Sequence, residues 1–248
     1  MHLNNVASDP EPWAAKAKPE KAPVASAGAK FKDAKRIQES ITSRWERSAL
    51  LWLAERIPAR VNSDHLTLLG FAAMALAGGS YAWARWNRAG LLLATLFLAL
   101  NWFGDSLDGT LARVRNQQRP RYGFYVDHMI DSFGALLLMS GLAISTYIDW
   151  RVAASLLIAF LLLSIESYLA SYTLGIFRLS FALFGPTEIR ILLAAGNLAL
   201  WFHPDAKVPG YPYLLFDFCG ALATCGMFVM VVAAVVWHTR TLYRQETR

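Results

Sequence analysis

Residues 105–131 read DSLDGTLARVRNQQRPRYGFYVDHMID, and the chain on both sides of this stretch is strongly apolar. Asp105 and Asp108 stand at i,i+3 and Asp127 and Asp131 at i,i+4, so on helices each pair occupies one face. The arginine-bearing segment 115–121 between them lets a second helix return antiparallel and bring the two faces together. If the flanks cross a bilayer, the four carboxylates project near one membrane face, where an uncompensated charge is expensive. Four such groups close together repel one another unless cations intervene, and two divalent ions remove the conflict. An all-oxygen donor set favours Mg²⁺, Mn²⁺ or Ca²⁺ over Zn²⁺, with Mg²⁺ and a phosphate co-ligand the best match; His128 alone argues for a softer metal. The alternatives on spacing alone are an intramembrane polar network and a cation transporter or channel lined by the acids.

Composition supports the membrane setting. In 248 residues 55% are hydrophobic and 17% charged, more apolar surface than an ordinary soluble domain hides. Crossing a ~30 Å hydrocarbon core takes about 20 residues, and six stretches qualify, at 66–84, 89–111, 123–149, 152–176, 186–203 and 214–238. The expected fold is therefore all-α and integral to the membrane, with six transmembrane helices over 61–240 and a short tail at 241–248. Before them, Ile37, Ile41, Trp45, Leu50, Leu53 and Ile57 recur at helical spacing among polar residues. That pattern predicts an amphipathic helix within 33–60, lying in the interface rather than spanning it. Residues 1–32 are rich in Ala, Pro and Lys, lack an apolar leader core, and read as a disordered basic tail. Cys219 and Cys225, six positions apart in an apolar run, face poorly for a disulfide and read as buried thiols.

Basic residues set the expected orientation. With six spans the termini share a side, and that side collects the N-terminal Lys/Arg cluster, Arg113–Arg121, Arg178, Arg190 and Arg240–Arg248. Both termini and the aspartates are thus expected at the cytoplasmic face of a bacterial-type inner membrane. The N-terminal basic cluster suits anionic lipid, at about 1 kcal/mol per group near the surface. Lacking a recognisable module, it gives no reason to expect a nucleic-acid partner. Most tryptophans, including Trp52, Trp86, Trp150 and Trp237, fall near span ends, as an interfacial belt requires.

The eight fixed positions Asp105, Asp108, Gly109, Ala112, Arg113, Gly123, Asp127 and Asp131 resemble the signature of the CDP-alcohol phosphotransferase (CDP-alcohol phosphatidyltransferase) family. The resemblance implies transfer of a phosphoalcohol group, chiefly phosphatidyl from CDP-diacylglycerol, to an acceptor hydroxyl with release of CMP, in phospholipid biosynthesis. It implies that Asp105, Asp108, Asp127 and Asp131 hold two Mg²⁺ or Mn²⁺ ions, and that Asp131 accepts the hydroxyl proton. Asp108, Gly109, Ala112, Arg113 and Gly123 would line the nucleotide pocket, and the enzyme would be a homodimer. Family members carry Pro-Asn-x-x-Thr at the first span; here Ser63 and Asp64 replace the first pair and Thr67 is kept, so Thr67 is the expected cytidine contact and Asp64 a helix N-cap.

The acceptor or lipid site draws on Glu166, Arg178, Thr187, Glu188 and Arg190, ionisable or polar groups in or beside apolar spans. The segment 166–188 is faintly similar to the eukaryotic choline/ethanolamine phosphotransferase branch, which keeps a CDP-amino-alcohol donor with diacylglycerol as acceptor in view. Arg178 and Arg190 equally suit a phosphate on a soluble acceptor, because guanidinium matches phosphate geometry. Structural pairing of Glu166 or Glu188 with Arg190 is the plainer alternative.

Overall fold

The computed structural model describes residues 35–37, 43–178, 186–203, 207, 210 and 213–247. The expectation for residues 1–32 lies outside them, as do the side chains of residues 35–37, 43–45 and 176–178. Seven helices follow in order: α1 Ser43–Ala54, α2 Ser63–Ala84, α3 Ala89–Val114, α4 Pro120–Ile144, α5 Trp150–Leu174, α6 Pro186–Phe202 and α7 Leu215–Glu246. Two three-residue segments, β1 Lys35–Ile37 and β2 Ile176–Arg178, pair in parallel, Lys35 opposite Ile176 and Ile37 opposite Arg178.

Helices α2, α3, α4, α5 and α7 are each long and apolar enough to cross a membrane. The chain is an all-α integral membrane protein. At 17 residues, α6 rises only about 26 Å, a little short of a ~30 Å core. Within 33–60 the described helix is only Ser43–Ala54, because Ile37 is extended in β1 and Pro58 disfavours helix in the residue before it. Helix α7 runs on to Glu246 and absorbs most of the segment expected as a tail.

The helix ends have local causes. Asn62 caps α2: its side chain accepts from His65 N at 3.4 Å while His65 Nδ1 accepts from Asn62 N at 3.4 Å. The N-cap is thus Asn62 and not Asp64, which lies inside the first turn, where an acid complements the helix dipole. Pro120 opens α4 at a position where its missing N–H costs nothing. Asp149 caps α5 by accepting from Arg151 N at 2.8 Å, and Gly175 ends that helix at φ 67°, a conformation glycine adopts without strain.

Two glycine contacts fix the centre of the bundle. A Cβ on Gly104 would stand 2.6 Å from both Gly70 N and Leu66 O, so α2 and α3 touch backbone to backbone. A Cβ on Gly141 would stand 2.7 Å from Gly78 Cα, which brings α4 equally close to α2. Around them Tyr81, Leu91, Leu98, Leu138, Leu142 and Leu200 form a buried core. Inside it Tyr81 donates to Asn197 Oδ1 at 2.9 Å and Asn197 Nδ2 donates to Thr95 Oγ1 at 3.0 Å, which ties α2, α3 and α6 through satisfied polar groups.

A second cluster seats α1, whose Leu50 and Ala54 are buried against Leu66, Leu107 and Leu111. Leu51 and Trp52 on its other side are exposed, as an interfacial helix requires. Arg115, at the end of α3, holds the α1–α2 connection by donating to the carbonyls of Ile57 at 2.9 Å, Pro58 at 3.1 Å and Val61. Helix α7 lies against α5, with Gly220 facing Val152 and Leu156. Its outward Val229, Val232 and Val235 are exposed, as are both cysteine residues, which carry free thiols on the outer surface and not in a core.

Candidate active site

One pocket between α2, α3 and α4 is lined by Asp105, Asp108, Asp127 and Asp131 together with Thr67 and Asn101. The i,i+3 and i,i+4 spacings place both acidic pairs on it, and the Gly70–Gly104 contact keeps its α2 and α3 walls close. Phe71, Met74, Ile130 and Gly134 supply an apolar remainder. Asp108 is buried at 6% exposure, whereas Asp127 and Asp131 are more exposed residues lining the same pocket.

Thr67 Oγ1 donates to Asp108 Oδ2 at 2.6 Å and Gly109 N donates to Asp108 Oδ1, so both oxygens of the buried carboxylate are engaged. Ser63 Oγ adds a bond to the Asp108 carbonyl at 3.1 Å. The start of α2 is thereby fastened to the aspartate-bearing end of α3. Asp64 meets Arg119 of the α3–α4 connection, an exposed pair that holds α2 to that connection. Arg119 in turn stacks over the Tyr122 ring at 4.3 Å.

Asp105 is held from the opposite side. Arg190 Nη2 donates to Asp105 Oδ2 at 2.6 Å, with the arginine side chain only 12% exposed. Among the described residues no three His, Cys, Asp or Glu side chains are gathered closely enough to cage a metal ion. Repulsion explains the arrangement: four carboxylates on one pocket turn toward the donors available, Asp105 to Arg190 and Asp108 to Thr67. The donor chemistry, four carboxylates on one pocket, suits hard divalent cations.

The motif glycines make no close helix contact. A Cβ on Gly123 would meet nothing within 4 Å, and one on Gly109 only Arg113 Nη1 at 3.9 Å. They leave open space beside the acids, while Gly70, Gly78, Gly104 and Gly141 carry the close helix approaches. Ala112 is half-buried, and Arg113 is exposed with Nη2 donating to Thr110 Oγ1 at 3.1 Å.

The acceptor candidates separate. Arg190 reaches the acidic pocket; Glu166, which is buried, instead pairs with the half-buried His238 of α7. Thr187 donates to Glu46 Oε1 at 2.9 Å, and Glu188 is buried at 8% exposure. Arg178 belongs to β2, and its side chain lies outside the described ones. His128, the contrary signal for a softer metal, packs its ring edge-on against Tyr168 of α5 at 4.4 Å.

Two residues escaped the sequence reading. Asn101, one turn before Asp105, donates from Nδ2 to Gly70 O at 2.9 Å, and its buried Oδ1 has no partner among the described residues. Its i−4 spacing from Asp105 was a usable signal. Glu46 was detectable as an acid on the same α1 face as the buried Leu50 and Ala54.

The family model for CDP-alcohol phosphatidyltransferase matches residues 62–239, from the cap of α2 into the last turns of α7. An archaetidylinositol phosphate synthase from Pyrococcus horikoshii is 33% identical over 113 residues, 46% of this chain. The match spans 53% of that protein, about half its length.

Proposed function

Because the chain belongs to the CDP-alcohol phosphatidyltransferase family, we propose that it transfers a phosphoalcohol group, phosphatidyl in the first instance, from a CDP-alcohol to an acceptor hydroxyl with release of CMP. The observation that carries this reading is the single pocket onto which two helices bring Asp105, Asp108, Asp127 and Asp131.

In the proposed reaction the acceptor oxygen bonds to the alcohol-linked phosphorus, the bond from that phosphorus to the CMP oxygen breaks, and the hydroxyl proton passes to Asp131. Asp131 suits the role because it lines the pocket and a general base needs local reach to the proton it takes. Asp105, Asp108 and Asp127, with Asp131, would hold two Mg²⁺ or Mn²⁺ ions, whose chemistry there is to neutralise charge developing on the transferring phosphate. Thr67 lines the pocket and orients Asp108 through its 2.6 Å bond, which supports its reading as a nucleotide contact. Gly109 and Gly123 leave room beside the acids, Ala112 has a small side chain, and Arg113 offers a cation to the diphosphate.

The acceptor is read as a small polar alcohol. Arg190 beside the pocket supports one that carries a phosphate, the class named in the relative's product. The active face is assigned to the cytoplasmic side from the Lys/Arg distribution, and the working unit to a homodimer by family. The test is purified protein in lipid with CDP-diacylglycerol, Mg²⁺ and a panel of serine, inositol, inositol phosphate and glycerol phosphate. CDP-choline with diacylglycerol runs beside it. CMP release with one acceptor, together with CMP-dependent thermal stabilisation that needs divalent metal, is the expected result. Metal flux in liposomes with no nucleotide dependence would instead select the transporter reading.

A further inference from the structure

A single oxygen on α1 gathers donors from two other helices. Glu46 Oε1 accepts from Trp102 Nε1 at 2.8 Å, from Thr187 Oγ1 at 2.9 Å and from Ser106 Oγ at 3.3 Å. Trp102 and Ser106 belong to α3 and flank Asp105; Thr187 lies in the first turn of α6, three residues before Arg190. Arg190 in turn grips Asp105 at 2.6 Å. A closed circuit results: α1 holds both helices whose side chains meet at the acidic pocket. The residue that closes it sits on α1, the short helix before the apolar spans that exposes Leu51 and Trp52.

We propose that Glu46 is a positioning residue: through Thr187 it sets where Arg190 meets Asp105, and so couples the seating of α1 to the geometry of the acidic pocket. The sequence supports this economy of means. In α6 the positions 187 and 190 share a face at i,i+3, so fixing the first turn fixes the arginine stem. All three donors are neutral, and a side-chain amide oxygen can accept from them as a carboxylate does. Glutamine therefore preserves the circuit, whereas alanine opens it and aspartate, one methylene shorter, fails to reach.

The inference rests on the transfer reading for its kinetic arm but not for its structural arm. In the full chain in lipid vesicles, Glu46→Ala is expected to lower kcat for CMP release about tenfold, as a misplaced catalytic group does, with KM for the CDP-alcohol little changed. Glu46→Gln should restore most of it. Thr187→Val should reproduce the loss, Trp102→Phe should not, and Glu46→Ala combined with Thr187→Val should be no worse than Glu46→Ala alone. Amide hydrogen exchange in the first turn of α6 should rise in Glu46→Ala and Thr187→Val and stay low in Glu46→Gln.

Additive kinetic losses, or no rescue by glutamine, overturn the proposal, as does unchanged exchange at the start of α6. If the unsubstituted protein releases no CMP while exchange responds as stated, the transfer reading fails and the positioning role of Glu46 stands.

Discussion

Arg190 of α6 and Asp105 of α3 meet at 2.6 Å, and this ion pair links α6 directly to the acidic face of α3. A charge-assisted bond of this kind contributes about 1.5–3 kcal/mol. If it holds the productive position of Asp105, Arg190→Ala should lower kcat/KM for CMP release by about 10- to 150-fold. Lysine keeps the charge but not the forked geometry and should recover only part. Steady-state CMP release decides it, and equal turnover in the alanine variant would make the pair purely structural.

Asp131→Asn should remove about 10²- to 10⁴-fold of the turnover, the range for a lost general base. The same change removes one ionisable carboxyl from a pocket lined by four. Ligand-free thermal stability should therefore hold or rise, because repulsion is relieved without loss of packing. Normal turnover in this variant would remove Asp131 as the base.

Two glycine-to-alanine changes should give opposite results. Gly104→Ala puts a methyl group 2.6 Å from the α2 backbone and should cost about 1–3 kcal/mol as the helices separate. Gly123→Ala meets open space and should leave stability within about 0.5 kcal/mol. Its effect should fall on nucleotide binding instead. Thermal unfolding in detergent with and without CMP distinguishes the two, and a Gly123→Leu variant with full CMP response would exclude that residue from the nucleotide site.

Glu166 and His238 join α5 to α7 away from the acidic pocket. Glu166→Ala strands a half-buried histidine, at about 1–3 kcal/mol. Turnover per folded molecule should be unchanged. A selective rise in KM for the acceptor alcohol, with stability intact, would return Glu166 to the substrate site.

What could be read from the chain followed the range of the interactions. Apolar run lengths located the helices closely, since α3 begins at Ala89 and α6 at Pro186 as expected. The acids were legible because i,i+3 and i,i+4 spacing is a local property of a helix. The identity of the α2 cap was not, because Asn62 and Asp64 are both competent and the bond to His65 decides between them. Partners distant in sequence were hidden altogether: Arg190 chooses Asp105, 85 positions away, and Glu46 chooses Thr187, 141 positions away. The helix-packing glycines were obscured by the motif glycines, which look alike in sequence and face empty space in the fold.

The backbone contacts of Gly70 with Gly104 and of Gly78 with Gly141 give the pocket one wall that cannot be moved by changing side chains, since no side chain intervenes. The contacts that α6 makes beside it, Arg190 with Asp105 and Thr187 with Glu46, run through side chains and are adjustable by single substitutions. Such a division lets the reaction and its selectivity diverge independently. Exchanging α6 between relatives should carry acceptor preference with it, while the carboxylates stay where α2, α3 and α4 have locked them.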